Sequence, residues 1–513
     1  MADSYSIVEY YGLQTQRQCG YCNCSDTNCS HGMWAHYLTV QDYQNLIDRG
    51  WRRSGRYCYK PTMDQSCCPM YTIRCEALDF KITKSQKKIL KRMAKFLRNE
   101  LKKDCEMGDS KVDTPDNIEK SIIEVPNYEE HCSRAEKNKS QMTVTSVEGR
   151  PDSRLRISSE AKPSSQNRST GKKREDVRSA EKSTTSNSAA SGSSNDAPRP
   201  IHRAGQDLNR TPPKKAKLMR AERKHKKLVA QGKTAEEIES LLRVNKQNVA
   251  KSVEDLFNEI HGGVQKLETK LVRVMSLEFF ETVDVSANLY KKYQMAIHEN
   301  QPSECDKKSF LNFLVKSPLQ PCTPPDGPPE GYGSFHEQYW LNGKLIAVAV
   351  IDILPYCVSS VYFFYDPDYA FLSLGTFSSL REVCLTRQLN KAASRLRYYY
   401  MGFYIHSNVK MRYKAKIKPS MLLCPETYAW CDIERSIAKI DKEKYSRLND
   451  NIDAIDEDGV VDLFSVMVLY HHKAMTYGMY TTRSGNESED EMVKEYASVV
   501  GMKCARSMLL YRK

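Results

Sequence analysis

The chain lacks any long hydrophobic run. No apolar stretch reaches the roughly 18 residues that span a bilayer, and no apolar segment follows a basic start at the N-terminus. We therefore expect neither a membrane span nor a secretory signal peptide. Acidic side chains are also outnumbered, 64 against 78 basic ones, which gives a formal net charge of +14. A positive charge of this size favours a polyanionic partner and does not bear on the fold.

Aromatic side chains are nearly absent from residues 105–213, where Ser, Lys, Glu, Asn and Thr dominate. A segment of this composition cannot bury enough apolar surface to offset the entropy that it would lose on ordering. We predict a disordered, low-complexity insert here. It separates an N-terminal cysteine-rich domain, residues 1–104, from the rest of the chain.

Cysteine is abundant, and its clustering is more informative than its number. With 17 cysteines and no secretory signal, we expect a reducing compartment, where grouped cysteines indicate a metal site instead of disulfides. Cys19 and Cys22 form a CxxC pair, and Cys67 and Cys68 supply two more thiolates from a second loop. This set suits a tetrahedral zinc ion or an iron–sulfur cluster. Its role is open between a staple for the domain and a redox sensor.

Residues 214–320 are predicted to form a basic helical segment. Eight of the fourteen residues from Lys214 to Lys227 are Lys or Arg. Three interpretations compete for this run: a nuclear-localisation patch, a contact with nucleic-acid phosphates, and an exposed helix face. A phosphate contact would make binding strongly dependent on salt, because each neutralised phosphate releases a counterion.

A hairpin opens the next segment, residues 321–435. Asn342-Gly343 lies between two apolar and aromatic runs, which is the strongest short-range hairpin signal. The second run, residues 345–354, is apolar almost throughout and predicts a strand buried on both faces. Asp352 alone interrupts it, and a buried carboxylate costs on the order of 3 kcal/mol unless it is paired or used. Further strands are predicted over residues 359–365 and 398–405.

Between those two strands the spacing predicts a helix with one apolar side. The residues on that side are Leu374, Phe377, Leu380 and Cys384. Ser373 is a candidate cap, and Gly375 would let a ligand approach the first turn, where free N–H groups attract anions. The order hairpin, strand, helix, strand is that of the acyl-CoA N-acyltransferase (GNAT) fold. We therefore predict an α+β chain with a GNAT-like acyltransferase core at 321–435 and a helical region at 436–513.

Cations alternate with apolar residues directly after the last predicted strand. The cations are Lys410, Arg412, Lys414, Lys416 and Lys418. In a strand all five would share one face, because side chains alternate with a period of two. We predict that this face is an electrostatic platform beside the cleft.

Several motifs are similar to those of arginyl-tRNA–protein transferases. They are Gly331-Tyr332-Gly333-Ser334-Phe335-His336, Ile351-Asp352-Ile353-Leu354-Pro355, Tyr365-Asp366-Pro367-Asp368-Tyr369, Ser373-Leu374-Gly375, Tyr399-Tyr400-Met401-Gly402-Phe403-Tyr404-Ile405, Cys19-Gly20-Tyr21-Cys22 and Cys67-Cys68-Pro69. The resemblance covers roughly residues 5–100 and 210–435. It implies an enzyme that moves arginine from Arg-tRNA to the α-amino group of proteins beginning with Asp or Glu, marking them for ubiquitin-dependent degradation. It also implies that transfer needs no ATP or coenzyme, and we expect the enzyme in cytoplasm and nucleus.

The resemblance suggests roles for individual residues. By analogy with coenzyme pyrophosphate in GNAT enzymes, the tRNA 3′ end would lie on Ser373, Leu374, Gly375 and Thr376. The catalytic candidates are His336 and Gln338, which share one side of a strand, and Asp352. Asp352 either holds the guanidinium of the arginyl group or is a buried structural carboxylate. The basic run would meet tRNA phosphates or the acidic acceptor through Lys410, Arg412, Lys414 and Lys416.

Aminoacyl transfer makes modest chemical demands on the protein. The ester is already activated, and an α-amine with a pKa of roughly 7.7–8.0 is partly neutral at pH 7, so placement and oxyanion donors matter most. The sequence shows no Ser-His-Asp or Cys-His constellation that would indicate dedicated acid–base or nucleophilic catalysis. Two alternatives remain: an acetyl-CoA acetyltransferase and a non-catalytic tRNA- or metal-binding protein. The single glycine in Ser373–Thr376 argues against the first, and the large predicted core argues against the second.

Overall fold

A computed structural model describes residues 5–101, 144–147, 216–244, 251–260, 263–485 and 488–512. These residues form two compact units, one from within 1–153 and 250–513 and the other from within 154–249. The predicted disordered insert, residues 105–213, lies outside the described residues except at 144–147.

The larger unit contains two eight-stranded sheets. The strands are β1 (Ile7–Arg17), β2 (Asn28–Tyr37), β3 (Arg52–Ser54), β4 (Tyr57–Pro61), β5 (Tyr71–Glu76), β6 (Ser146–Val147), β7 (Leu267–Arg273), β8 (Gly333–Leu341), β9 (Lys344–Ile353), β10 (Cys357–Tyr365), β11 (Tyr398–Tyr404), β12 (Ser420–Leu423), β13 (Trp430–Asp432), β14 (Met467–Tyr470), β15 (Lys473–Thr476) and β16 (Leu509–Arg512). The mixed α+β class expected from the sequence is thereby confirmed.

Helices cover or connect these strands. They are α1 (Val40–Ile47), α2 (Lys84–Leu97), α3 (Ala216–Ala230), α4 (Ala235–Val244), α5 (Val253–Ile260), α6 (Leu277–Ile297), α7 (Lys307–Phe310), α8 (Leu374–Asn390), α9 (Ile433–Ile440), α10 (Tyr477–Ser484), α11 (Asp490–Val500) and α12 (Met502–Ala505). The smaller unit contains α3 and α4, so the basic run is helical from Ala216 onward; Lys214 lies outside the described residues. None of the described helices has both the length and the apolarity needed to cross a bilayer.

The first sheet joins the two ends of the chain. Its strand order is β3-β4-β2-β1-β16-β14-β15-β6, and β16 runs parallel to both β1 and β14. Residues 1–104 are therefore not a separate domain, because their strands share a sheet with residues 467–512. The region 436–513 is also not purely helical as predicted, because three of its segments are strands. Each of those strands has four residues, too few for their alternation to stand out in the sequence.

The second sheet has the order β13-β12-β5-β11-β10-β9-β8-β7. The predicted hairpin joins β8 to β9, with φ of 49° at Asn342 and 81° at Gly343. The two predicted strands that follow are observed as β10 and β11, which pair in parallel. Because β5 and β7 come from outside 321–435, the sheet is wider than the predicted core.

The strand β9 is buried on both faces, as predicted. Val348 and Val350 belong to the apolar cluster that contains α6 residues, whereas Ala347, Ala349 and Ile351 belong to the cluster that contains the apolar side of α8. The alternation follows from the period of two in a strand. The sheet is therefore covered by α6 on one face and by α8 on the other.

The predicted basic strand is a 3₁₀ helix, Val409–Lys416. The Asn408 side chain caps it, because its oxygen accepts a hydrogen bond from the Lys410 backbone N–H at 3.0 Å. With about three residues per turn, the cations no longer share one face. Lys414 is buried while Lys416 is exposed, so the expected platform of aligned cations is wrong.

Candidate functional site

A cavity of about 340 Å³ opens where β10 and β11 stop pairing. The parallel register holds for three residue pairs and ends at Ser359 opposite Tyr400. Beyond that point β11 contains an irregularity at Gly402, whose φ is 72° and therefore favours glycine. The lining residues used below are Tyr21, Arg52, Arg53, Gly375, Ser378, Ser379, Glu382, Phe403 and Lys414.

The first turn of α8 reaches the cavity through Gly375. Ser373 precedes the helix in a left-handed conformation with φ of 56°, and its side chain makes no capping hydrogen bond, so the predicted side-chain cap is wrong. Its carbonyl oxygen instead accepts hydrogen bonds from the N–H groups of Thr376 and Phe377, each at 3.1 Å. A Cβ added at Gly375 would meet no atom within 4 Å, so the turn faces open space. Of the four residues predicted to hold the tRNA 3′ end, only Gly375 lines this cavity; Leu374 is buried.

Glu382, two turns further along α8, places a buried carboxylate in the cavity wall. The residue is 1% exposed, and the Ser378 hydroxyl donates a hydrogen bond to its Oε1 at 2.7 Å. Its Oε2 has no hydrogen-bond partner among the described residues. Burial raises the pKa of Glu382 to about 7, against the lowering effect of the hydrogen bond from Ser378. The carboxyl group is therefore poised to gain or lose a proton near neutral pH.

Asp352 lies behind the cavity and is bound by Arg53. The Arg53 guanidinium donates Nε to Asp352 Oδ2 at 2.8 Å and Nη2 to Oδ1 at 2.6 Å. The Ser334 hydroxyl donates to Oδ1 at 2.7 Å. Of the two roles predicted for Asp352, this geometry favours the structural one, because the guanidinium that the carboxylate holds belongs to the protein itself. Arg53, which does line the cavity, is compensated by this pair.

Two further cations in the wall have no such partner. Arg52 is 6% exposed and Lys414 is 9% exposed, and neither pairs with a carboxylate within the described part of the chain. Arg52 donates Nη1 to the Trp51 carbonyl oxygen at 2.7 Å, and Lys414 donates Nζ to that of Phe403 at 2.6 Å. Burial lowers the pKa of Lys414 to about 7, and nearby Arg52 lowers it further. Neither cation of this wall forms an ion pair with a described residue, and the nearby Asp48 carboxylate interacts with Arg52 only electrostatically.

Two of the predicted catalytic residues lie elsewhere. His336 and Gln338 are completely buried on β8, against α6 and α7. The His336 ring packs edge-on against Phe279, with Nε2 3.2 Å from the Leu314 carbonyl oxygen, and Gln338 Nε2 donates to Thr282 Oγ1 at 2.7 Å. Neither residue lines the cavity, although both were expected to line the cleft. A catalytic role for them stays a prediction.

The remaining predicted cations also lie outside the cavity wall. Lys410, Arg412 and Lys416 are on the same 3₁₀ helix as Lys414 but are not among the lining residues. Arg412 is exposed and donates Nε to the His406 carbonyl oxygen at 3.1 Å. The structure therefore keeps Lys414 as a candidate for this cavity and separates it from its three neighbours.

The four predicted metal ligands are brought together. The sulfur atoms of Cys19, Cys22, Cys67 and Cys68 all lie within 4.8 Å of one another, and those of Cys22 and Cys67 are 3.3 Å apart. Four thiolates at about 2.3 Å from one zinc ion in a tetrahedron would lie about 3.8 Å apart. This donor set and its spread fit a single tetrahedral ion.

The cysteine cluster is next to the cavity. Tyr21, which lies between Cys19 and Cys22 in the sequence, lines the cavity. Cys19 and Cys68 share an apolar cluster with Phe403, which lines the cavity from β11. An ion held by the four thiolates would thus fix one part of the cavity wall.

Sequence reasoning missed Arg52 and Glu382. Arg52 belongs to a three-residue buried strand that carries no recognisable pattern. Glu382 is a polar residue among other polar residues of α8, such as Ser378, Ser379 and Arg381. Neither residue could be distinguished by sequence from an ordinary exposed charge.

Comparison with known proteins found two matching family models and several similar proteins. The family model described as "Arginine-tRNA-protein transferase, C terminus" matches residues 285–424, and the corresponding N-terminus model matches residues 17–88. The Drosophila melanogaster arginyl-tRNA–protein transferase 1 is 43% identical over 514 residues, covering 99% of each chain. The Arabidopsis thaliana arginyl-tRNA–protein transferase 2 is 34% identical over 480 residues, covering 86% of this chain and 78% of the relative.

A more distant relative matches a shorter part. The aspartate/glutamate leucyltransferase of Campylobacter jejuni strain RM1221 is 38% identical over 140 residues, which cover 26% of this chain and 51% of the relative. The matches favour an aminoacyltransferase over the two alternatives considered from the sequence. On the full-length similarity to the Drosophila protein, the chain belongs to the family of arginyl-tRNA–protein transferases.

Proposed function

We propose that this enzyme transfers arginine from arginyl-tRNA to proteins whose first residue is Asp or Glu, and that the transfer takes place in the cavity between β10 and β11. The observation that carries the choice of acceptor is that Arg52 and Lys414 are buried in the cavity wall and form no ion pair within the described part of the chain. A buried cation without an anion costs several kcal/mol, and an incoming carboxylate relieves that cost. An alanine side chain offers no such relief.

The donor end of the cavity would be the first turn of α8. The order of β7 to β10, α8 and β11, with β10 and β11 separating at the cavity, supports a GNAT-like core. In this arrangement the open turn at Gly375 presents helix N–H groups to the 3′-terminal nucleotide of the tRNA. The arginyl ester would then extend along α8 into the cavity.

The reaction itself exchanges one acyl bond for another. The neutral α-amine attacks the ester carbonyl carbon, a C–N bond forms, and the C–O bond to the tRNA ribose breaks. The leaving ribose oxygen takes up a proton. The ester already supplies the driving force, so the protein has to orient the amine against the carbonyl and to exclude water.

The four cysteines would hold a zinc ion or an iron–sulfur cluster, which supplies a rigid cross-link between two loops when bound. Because Tyr21 lies between two of the ligands and also lines the cavity, the metal would hold this side chain in the wall. The spread of the sulfur atoms supports a single ion. Whether the site also senses redox conditions depends on which metal it holds.

The cellular role follows from the same assignment. Arginine added to an acidic N-terminus would mark the acceptor for ubiquitin-dependent degradation. We propose a location in both cytoplasm and nucleus, on the basis of the basic run from Lys214 to Lys227. The described part of that run, within α3, is also our candidate for contact with tRNA phosphates.

The acceptor assignment is tested with Lys414→Met and its neighbour Lys416→Met. Both changes replace a lysine by an apolar chain of similar length on the same 3₁₀ helix, but only Lys414 lines the cavity. With arginyl-tRNA held constant, kcat/KM is measured for peptides that begin with Asp and with Ala. We expect Lys414→Met to lower the preference for Asp about tenfold, equivalent to about 1.4 kcal/mol, and Lys416→Met to leave it unchanged.

Arg52→Met provides the second measurement and should also lower the preference for Asp. If both cavity variants fold and keep the wild-type preference, the acceptor's acidic side chain is bound elsewhere. If the wild-type enzyme transfers no arginine from arginyl-tRNA to either peptide, the proposed activity itself is wrong.

A further inference from the structure

The cavity contains a buried carboxylate that the proposed function has not yet used. Glu382 is 1% exposed, lines the cavity, and has one oxygen without a hydrogen-bond partner among the described residues. We propose that Glu382 binds the α-ammonium group of the acceptor and removes its proton before attack. This inference rests on the proposed function, because it assigns a group to the acceptor amine of that reaction.

Glu382 has no cation paired with it among the described residues. A neighbouring carboxylate, that of Glu337, is paired with Arg381, whose Nε lies 2.9 Å from Glu337 Oε1. No lysine or arginine pairs with Glu382 in the described part of the chain. A buried carboxylate in this state is stabilised either by a proton or by a cationic ligand. An acceptor's α-ammonium group is such a ligand, and the cavity provides its access.

The charges of the cavity also match those of the acceptor's first residue. An N-terminal Asp or Glu carries a positive α-ammonium and a negative side-chain carboxylate. The cavity wall carries the opposite set: Glu382 from α8, and from other elements the cations Arg52 and Lys414, which form no ion pair with the residues described. An acidic N-terminal residue therefore meets buried charge of both signs at once, which a neutral N-terminal residue does not.

Along α8, Glu382 lies on the same side as the open first turn. Gly375 and Glu382 are seven residues apart, so they lie on the same side of the helix, about 10 Å apart along its axis. Ser378 and Ser379 lie between them and also line the cavity. A tRNA 3′ end at Gly375 and an amine at Glu382 would thus approach the ester carbonyl from opposite ends of one helical face.

The surroundings of Glu382 keep its proton exchangeable near neutral pH. The groups that face it are Ser378 on its own helix, Glu337 and Tyr339 from β8, Ser360 from β10, Tyr399 from β11 and Tyr413 from the 3₁₀ helix. Burial is the main cause that raises the pKa of Glu382 to about 7, Glu337 adds to the rise, and the nearby hydroxyl groups of Ser378, Tyr399 and Ser360 lower it. A general base is most effective when its pKa is close to the working pH.

The proton balance of the step is as follows. The Glu382 carboxylate accepts one proton from the α-ammonium, which leaves a neutral amine. The amine attacks the ester carbonyl, the C–O bond to the ribose breaks, and Glu382 returns its proton to the leaving ribose oxygen. The second proton on the attacking nitrogen passes to solvent, so each turnover yields one amide, one free tRNA 3′ end and one proton.

The test compares Glu382→Gln with the wild type across pH 6–9. Glutamine keeps the shape and accepts the hydrogen bond from Ser378, but it cannot accept a proton from the amine. We expect kcat to fall about 10²- to 10⁴-fold at pH 7, with KM for arginyl-tRNA unchanged. The deficit should shrink toward pH 9, because the free amine forms unaided above its pKa of about 8. The Glu382→Gln enzyme should transfer arginine to hydroxylamine, which is neutral at pH 7, at a rate close to that of the wild type.

The matched control is Glu434→Gln, which makes the same change on an exposed residue that does not line the cavity. It should keep the wild-type kcat. A folded Glu382→Gln enzyme with wild-type kcat and pH profile, while the wild type does transfer arginine to Asp-starting peptides, would refute the role of Glu382 and leave the proposed function standing. If the variant does not fold, the pH dependence of the wild-type enzyme provides the test. A rate constant for the chemical step that shows no ionisation between pH 6 and 8 would overturn the proposal.

Discussion

Replacing Asp352 by Asn should destabilise the fold without changing recognition of arginyl-tRNA. The Asp352 side chain is 0% exposed and that of its partner Arg53 is 1% exposed, so the pair has almost no solvent screening. Removing the negative charge leaves a buried guanidinium with only hydroxyl and amide oxygens around it. The substitution keeps the volume of the side chain, so any effect comes from charge and not from a cavity.

The magnitude follows from the geometry of the pair. The two nitrogen–oxygen distances are 2.6 and 2.8 Å, which places the charge centres about 4 Å apart. With an effective dielectric of about 20, the attraction is about 4 kcal/mol. Breaking buried ion pairs by removing one partner costs about 3–5 kcal/mol. We therefore expect Asp352→Asn to lower the free energy of unfolding by about 3–5 kcal/mol, out of roughly 5–15 for a typical domain.

Stability is measured by urea unfolding, which is monitored by circular dichroism. KM for arginyl-tRNA is measured at urea concentrations below those that unfold the protein. Asp368→Asn is the control, since its carboxylate is 69% exposed and pairs with Lys292 at 2.8 Å. Exposed pairs contribute little, so this variant should unfold like the wild type. The double variant Arg53→Met/Asp352→Leu should recover part of the loss, because no buried charge is left unpaired. An Asp352→Asn enzyme of normal stability with a raised KM for arginyl-tRNA would refute this reasoning and assign the carboxylate to the substrate's guanidinium.

Three further predictions concern the metal, the acceptor and acid stability. Replacing both Cys67 and Cys68 by Ser should abolish metal binding and lower kcat/KM through the loosened wall at Tyr21; unchanged metal content by elemental analysis would show that the ligands are misassigned. Because burial lowers the pKa of Lys414 to about 7, its charge is lost as pH rises through that value, so KM for an Asp-starting peptide should rise above pH 7, and it should rise less in Lys414→Met. Burial lowers the pKa of His336 to about 4, below its value of about 6.5 in the unfolded chain. The neutral ring therefore contributes fully to stability above pH 6.5, and the free energy of unfolding should be lower by about 2 kcal/mol at pH 5. His336→Gln should remove this part of the acid sensitivity, and equal sensitivity of both proteins in urea unfolding between pH 7 and 5 would contradict it.

The elements predicted well are those with local causes. The hairpin at Asn342-Gly343 formed because two consecutive residues with positive φ impose that turn on any flanking strands. The helix α8 was visible because its apolar residues recur at helical spacing and pack on the sheet. The four cysteines were recognisable as a set because thiolates in a reducing compartment have few other reasons to cluster.

The failures came from patterns that several structures share. Alternation from Lys410 to Lys416 fits a strand, yet a local hydrogen bond from Asn408 caps a 3₁₀ helix there. Polar residues on one side of β8, such as His336, are compatible both with a strand that lines a cleft and with a buried strand whose polar groups are hydrogen-bonded. Because α6 packs over this side of β8, His336 is buried in the core. Domain borders failed for another reason: the pairing of β1 with β16 depends on a contact between opposite ends of the chain.

The sequence by itself determined the hairpin, the helix α8, the cysteine set and, through its motifs, membership of the family. Only the tertiary structure decided which charges are compensated. Arg53 and Arg52 are adjacent in the sequence, yet Arg53 is neutralised by a carboxylate 299 positions away while Arg52 faces the cavity without one. The physical reason is the short range of strong electrostatic interactions in a folded protein, where a partner must lie within about 4 Å. Chain folding sets that distance, so Arg52, Lys414 and Glu382 became distinguishable as buried charges of the cavity wall only in three dimensions.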